Sequence, residues 1–290
     1  MLLNEAYSGK VFINSSNDYD HARAVIYGMP MDFTVSFRPG SRFGPARIRE
    51  ASIGLEEYSP YLDKSIEDMI YFDAGDLMLP FGNAARSLDM IDEYVRGLLK
   101  DGKFPIGLGG EHLVTWPIIR QMYSKYPDLA LIHIDAHADL REQYEGEVLS
   151  HSTPVRKAVE LMGGHNIYQY GIRSGSREEF AFGREHVNFH PFEVLEPLKK
   201  TLPSLSGRPV YVTIDIDVLD PSAAPGTGTA EAGGITSKEL IAAIHEISRS
   251  SVQVVGADVV EVAPIYDPTE QTPIVASKLI REMLLGFVPN

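Results

Sequence analysis

The sequence predicts an α/β fold of three layers, α/β/α, around a central and mostly parallel sheet of about eight strands. Three observations predict it. Short runs rich in β-branched and aromatic residues recur along the chain, and segments of helical period lie between them. Each run ends at or beside a Gly, Asp or His, where a strand would meet its loop. Strands that alternate with helices imply parallel pairing with both sheet faces covered. At 290 residues and 44% hydrophobic content the chain can bury one large core, so a single domain over residues 1–290 is expected.

Taken in order, the first run is Ala24 to Gly28, followed by Ile70 to Ala74. A helix follows over Ala84 to Leu99, where apolar residues recur every three or four positions. Phe104 to Leu108 then leads into Gly109-Gly110-Glu111-His112, and Leu129 to Asp135 starts apolar and ends acidic. Asn166 to Gly171 and Val187 to His190 are shorter, and Pro209 to Asp217 repeats the apolar-to-acidic pattern. A helix over Ser237 to Ser250 opens with Ser237, Lys238 and Glu239, acceptable chemistry for a first turn. Val252 to Ala257 is the last strand, and Thr272 to Leu285 the last helix. In such sheets ligands collect at the carboxyl ends of the strands, where the polar residues fall. Leu219 to Thr236 fits neither period, carrying Asp220-Pro221, Pro225-Gly226-Thr227-Gly228-Thr229 and Gly233-Gly234. A loop of that length directly after the most acidic strand points to function.

Composition narrows the partners. A net charge of -14 argues against a nucleic-acid partner, whose binding needs a concentrated basic face. It suits a small cationic substrate, although acidity also serves solubility alone. With no cysteine there is no disulfide, thiolate nucleophile or Cys-based zinc site, so any metal must be held by His and carboxylates. Met1 to Lys10 is neither basic nor apolar, and no apolar run reaches the roughly 18 residues of a membrane span. No membrane partner and a cytoplasmic location are expected.

The chemistry sits on two strands. In Leu131-Ile132-His133-Ile134-Asp135-Ala136-His137-Ala138-Asp139, alternation of side chains puts Asp135, His137 and Asp139 on one side; in Tyr211 to Asp217 it does the same for Asp215 and Asp217. Carboxylates converging at one sheet edge would repel and raise each other's pKa unless something positive sat among them. A metal pair is the simplest remedy. Imidazole mixed with several carboxylates suits manganese better than calcium or structural zinc, with iron, cobalt and nickel still open. One Asp-X-Asp alone equally marks a strand end and an N-cap; two on apolar strands of one sheet do not. His112 would be delivered to the same edge.

These residues resemble the ureohydrolase family of arginases, agmatinases and their relatives. The likeness runs from Pro39-Gly40-Ser41-Arg42-Phe43-Gly44-Pro45 through Asp135-Ala136-His137-Ala138-Asp139 and Asp215-Ile216-Asp217 to Glu261, and includes Ala-Pro-Gly-Thr-Gly-Thr in the long loop. It implies an arginase-like fold and two Mn2+ per chain. The first would be bound by His112, Asp135, Asp139 and Asp215, the second by Asp135, His137, Asp215 and Asp217, so that Asp135 and Asp215 bridge. Two such ions hold a shared water and lower its pKa toward neutrality, which the resonance-stabilised guanidinium carbon demands. Glu261 would hydrogen-bond the guanidinium in a planar pair. His151 would relay protons or hold substrate, and Asp139 would hold the hydroxide and pass its proton to the departing amine. Residue by residue, without the family, Glu261 reads as a salt-bridge partner and His151 as a helix-entry cap. Relatives form trimers or hexamers, so a homo-oligomer is expected.

Four positions depart from the family pattern: Glu111 for Asp, Ser152 for Gly, and Ala230 and Ala232 for Pro. His133 is expected beside the ligands rather than among them. His21, His165, His186, His190 and His245 lie outside any cluster, and Trp116 reads as core.

Two arginase contacts to the α-amino acid end of arginine are missing, since Arg141 and Ser176 stand at those positions. A buried α-amino group would then be poorly paired. Agmatine, cleaved to putrescine and urea, is the expected substrate. Arg141 leaves room for a carboxylate-bearing substrate such as guanidinobutyrate, or else pairs structurally with a neighbouring acid, with arginine less favoured. Rival classes are a one-metal deacetylase-type hydrolase, against which His112 and Asp139 argue, and a non-catalytic metal-binding relative.

Overall fold

The computed structural model describes residues 6–7 and 10–289. Its strands, in chain order, are β1 (Ala6–Tyr7), β2 (Ala24–Met29), β3 (Tyr58–Ser59), β4 (Lys64–Ser65), β5 (Tyr71–Leu77), β6 (Phe104–Gly109), β7 (Ala130–Ile134), β8 (Ile167–Tyr170), β9 (Asn188–His190), β10 (Pro209–Asp215) and β11 (Gln253–Val260). The helices are α1 (Gly44–Ser52), α2 (Ala84–Lys100), α3 (Thr115–Lys125), α4 (Pro154–Met162), α5 (Arg177–His186), α6 (Leu195–Thr201), α7 (Ser237–Arg249) and α8 (Gln271–Phe287). One sheet runs in the order β1-β5-β2-β6-β11-β10-β7-β8-β9. All its neighbours pair in parallel except β1, which lies antiparallel on β5. The eight parallel strands are those the sequence marks. The β3–β4 pair and β1 are two residues per strand, too short to show a period.

Both faces of the sheet are buried, which is why its strands read as near-continuous apolar runs. Ala24, Ile26, Ile132, Ile134, Val212 and Ile214 point to one core, shared with α1, α6, α7 and α8. Val25, Tyr27, Met29, Leu131 and Tyr211 point to the other, shared with α2, α3 and α4, and Trp116 packs on that side as a partly buried residue. The fold is therefore α/β/α as expected. No helix among the described residues is long and apolar enough to cross a membrane.

The start of α7 agrees with the sequence reading: Ser237 is its first helical residue, capped by Thr236, whose hydroxyl accepts from Glu239 N at 3.2 Å. Three strand ends differ. Strand β11 runs past Ala257 to Val260 because it is flanked on both sides, by β6 and β10. Strands β7 and β10 stop at Ile134 and Asp215, before the last polar residues of their motifs.

Candidate active site

The four central strands β6, β11, β10 and β7 are neighbours, and their carboxyl ends deliver His112, Glu261, Asp215 with Asp217, and Asp135 with His137 and Asp139. Strand alternation does not aim all of these side chains. Beyond Ile134 the chain leaves the sheet: Asp135 Oδ1 accepts His137 N at 2.6 Å, and Asp139 takes a left-handed φ of 53°. Likewise Asp215 Oδ1 accepts Asp217 N at 2.8 Å and caps a 3-10 turn over Ile216–Val218. Carboxylate-to-backbone turns bring the groups together, and the pleat supplies only their starting points. On the β6 side Gly110 is required, because a Cβ there would lie 2.0 Å from Met31 O.

The side chains form two clusters that share Asp135: His112, His133, Asp135 and Asp139, and Asp135, His137 and Asp217, with donor atoms within 4.8 Å in each. Asp215 adjoins both, its Oδ2 3.4 Å from His112 Nδ1 and its Oδ1 on Asp217 N. His137 Nδ1 is 2.9 Å from Asp217 Oδ2.

His112 provides the test of whether a cation fits. Thr213 donates its one hydroxyl proton to Asp258 Oδ1 at 2.5 Å, so its oxygen must accept from His112 Nε2 at 3.0 Å. Asp258 is fully buried and also accepts from Thr115 and Tyr211. With the Nε2 proton so committed, a neutral His112 turns the lone pair of Nδ1 toward Asp135, Asp139 and Asp215, 3.0 to 3.4 Å away. None of these approaches has hydrogen-bond geometry, and both His112 Nδ1 and Asp135 Oδ2 are buried without a hydrogen-bond partner. A lone pair and carboxylate oxygens converging on one point are what a divalent cation requires.

The same reasoning sets His133 apart. The Gln169 amide nitrogen donates to Ala138 O at 2.7 Å and to His133 Nδ1 at 3.0 Å, so the ring proton sits on Nε2, which lies 2.8 Å from Asp135 Oδ2 but outside hydrogen-bond geometry. His133 has no lone pair to give an ion there, despite its place in the cluster.

Electrostatics agree. Burial, then the Asp135 charge, pushes Asp139 well above the ordinary carboxylate range, and burial, then Asp217 and Asp135, does the same to Asp215. Burial opposes a charge on His112 and His137, yet the surrounding aspartates hold both well above the usual imidazole value. The site is short of positive charge and takes up protons where ions would sit.

Above the clusters opens a cavity of about 300 Å³, lined by His112, His137, Asp139, Asp215 and Glu261 at its floor and by Ser36, Arg141, Tyr144, His151, Ser174, Ser176, Glu179 and Thr229 toward its mouth. Glu261 takes a left-handed φ of 64°, and its Oε1 accepts His112 N at 2.7 Å. A strained backbone held at a site is a mark of pre-organisation. Burial, then the charge of Glu111, pushes Glu261 up to about 8. His151 is not the cap of α4, which begins at Pro154. Its Nδ1 donates to Thr34 O at 2.7 Å, leaving Nε2 as an acceptor 3.3 Å from Ser36 Oγ. Burial keeps His151 below the usual imidazole pKa.

The long loop is tied down. Arg38 donates to Thr227 O and Gly228 O, Thr229 donates to Asp217 Oδ2 at 3.3 Å, and Arg173 donates to the carbonyls of Asp217, Val218 and Glu231. Arg141, at the mouth, lies 3.2 Å from Glu179 Oε2 and over the Tyr144 ring. Ser176 caps α5 and exchanges hydrogen bonds with Glu179.

Sequence reasoning missed Thr34, Gln169, Thr213 and Asp258. Only Asp258 left a signal, as a lone carboxylate inside the apolar run Val254 to Val260. The remaining histidines lie elsewhere, for example His21 on Asp18 and His245 on Glu282.

The chain matches the family model described as Arginase family over residues 22–286. It is 69% identical to an agmatinase of Bacillus subtilis over 99% of this chain and 100% of the relative. It is 34% identical to a guanidinobutyrase of Pseudomonas aeruginosa, over 94% of this chain and 88% of that one. Among solved structures, the agmatine ureohydrolase of Thermoplasma volcanium superposes with a TM-score of 0.86 at 32% identity, covering 98% of this chain and 96% of that chain. Sequence and architecture agree along nearly the whole length, and the chain belongs to the arginase family.

Proposed function

We propose that the chain is a binuclear manganese agmatinase, acting as one domain over residues 1–290, that cleaves agmatine to putrescine and urea. The observation that carries this reading is a single cavity lined both by members of the two carboxylate–histidine clusters and by Glu261. The agmatinase 69% identical over the full length supports the substrate.

We assign His112, Asp135, Asp139 and Asp215 to one ion and Asp135, His137, Asp215 and Asp217 to the other. Bound there, two manganese ions would neutralise the carboxylates and lower the pKa of a shared water. Glu261, an acceptor only when ionised, pairs with the planar guanidinium and fixes the angle of its carbon. Asp139 orients the attacking oxygen and carries its proton to the departing amine. His151, whose Nε2 is an acceptor that Ser36 can yield to the reacting groups, takes part in the same transfer.

The far end of the cavity favours agmatine over a guanidino acid. A carboxylate there would need a free cation, whereas Arg141 is already paired with Glu179. A primary ammonium needs no such partner cation and would face the Tyr144 ring and the hydroxyls of Ser174 and Ser176. Urea release from agmatine, arginine, guanidinobutyrate and guanidinopropionate, assayed side by side, tests this. Agmatine is expected to exceed arginine in kcat/KM by at least about a hundredfold, the order of discrimination when a polar group finds no partner. Arg141→Ala, which leaves Glu179 uncompensated, should widen the preference for agmatine over guanidinobutyrate by roughly tenfold. A preference of the unaltered protein for either guanidino acid would instead make Arg141 the substrate anchor.

We also propose a cytoplasmic homo-oligomer, trimer or hexamer, an inference from family architecture alone. Light scattering at micromolar concentration should give a multiple of the chain mass; a monomer overturns it.

A further inference from the structure

We propose that Glu111 is a positioning residue for His151, acting through Thr34. The inference rests on the reading of His151 as a group that moves a proton, and concerns how its ring is held.

Glu111 is fully buried beside His112. Its Oε2 accepts Thr34 N at 2.8 Å and its Oε1 accepts Thr34 Oγ1 at 2.9 Å. Thr34 in turn holds His151 twice: its Oγ1 accepts His151 N at 2.8 Å, and its carbonyl accepts from His151 Nδ1 at 2.7 Å. Proton counting gives the chain one direction. A hydroxyl has a single proton, and Thr34 spends it on Glu111, so the hydroxyl oxygen faces the His151 amide as an acceptor. A backbone carbonyl only accepts, so the His151 ring proton lies on Nδ1, and Nε2 keeps its lone pair toward the cavity.

The carboxylate is the element that sets this polarity. Glu111 must accept from two donors of one residue, and a carboxylate offers two acceptor oxygens where an amide offers one. With Gln in its place, the amide NH2 would oppose either the Thr34 N–H or the Thr34 hydroxyl. If the hydroxyl turns to accept from it, its proton loses the Glu111 acceptor while its two lone pairs serve the amide and the His151 N–H. Either way one donor of Thr34 is left without its acceptor, and the link between β6 and the His151 loop loosens. Glu111 touches neither the cavity nor the expected ligand atoms, so its effect reaches the reaction through the placement of the imidazole.

The test uses holoenzyme in five forms: unaltered, Thr34→Val, Thr34→Ser, His151→Ala, and Thr34→Val with His151→Ala. Thr34→Val, which keeps shape and loses the hydroxyl, should lower kcat for agmatine about tenfold, part of what general acid–base catalysis contributes, with KM and metal content unchanged. Thr34→Ser should restore most of that rate. In the His151→Ala background Thr34→Val should cost nothing further, because a residue acting through His151 has nothing left to act on. Additive losses, or loss of metal from Thr34→Val, overturn the inference. A crystal structure of the Glu111→Gln holoenzyme reads it without any substrate: the His151 ring should be shifted or turned off Thr34 O. An unmoved ring overturns the inference whether or not agmatine is cleaved, whereas an unaltered protein that releases no urea overturns the functional reading instead.

Discussion

Asp215→Asn is expected to lower urea release from agmatine by at least about a thousandfold and to leave no more than one ion per chain. Asp215 stands where the two clusters meet, with Oδ2 toward His112 and Oδ1 toward Asp217. Burial and its acidic neighbours already make its ionisation costly without a cation. An amide there presents one acceptor oxygen and no charge, so it cannot serve two ions, and the attacking water loses half of what lowers its pKa. Asp135→Asn should behave alike, because Asp135 is the member common to both clusters. Elemental analysis of the purified variants, alongside turnover, decides the point. Two tightly held ions in Asp215→Asn, or full activity of the unaltered protein after exhaustive chelation, would refute the two-ion assignment.

The ionic floor of the site was legible in the sequence because it is written on strand ends. Residues 135 to 139 and 215 to 217 follow apolar runs, and two such ends in one parallel sheet must lie at the same edge. What holds those residues was not legible. Thr34 reaches Glu111 across 77 positions and His151 across 117. Nothing local to a threonine in a loop marks it as a link between them. The tautomer of His112 depends on Thr213, which sequence shows only as a polar residue in a buried strand. The left-handed backbone of Asp139 and Glu261 was equally hidden, because neither residue type announces a positive φ as glycine does. Arg141 marks the opposite limit. The sequence offered it both as a carboxylate anchor and as a structural ion pair, and only the position of Glu179 distinguishes these.

Glu261→Gln is expected to lower kcat/KM about a hundredfold on every guanidino substrate, since it touches the end they share, while both ions stay bound. The carboxylate is the one acidic group in the cavity aimed from β11, held by the His112 amide and a left-handed turn. The amide keeps the shape but replaces one of two acceptors with a donor that repels the guanidinium N–H groups. Burial, then the Glu111 charge, raises the folded-state pKa from 4.5 to about 8 in the absence of ions and substrate. Because that value is raised, the folded chain keeps a proton that the unfolded chain releases near 4.5. Stability of the metal-free protein should therefore fall as pH rises from about 4.5 toward 8, the sign opposite to that of a salt-bridged carboxylate. The amide cannot ionise, so the metal-free variant should lose less of its Tm across that window than the unaltered protein. The ions and the guanidinium favour the carboxylate, so activity moves the other way and rises with pH. Thermal melts of the metal-free proteins at several pH values, paired with kinetics of the loaded ones, separate the two effects. Equal Tm losses in both proteins would show that Glu261 is ionised throughout and is not the buried acid described here, and a variant that still turns over agmatine at the original rate would remove it from substrate recognition.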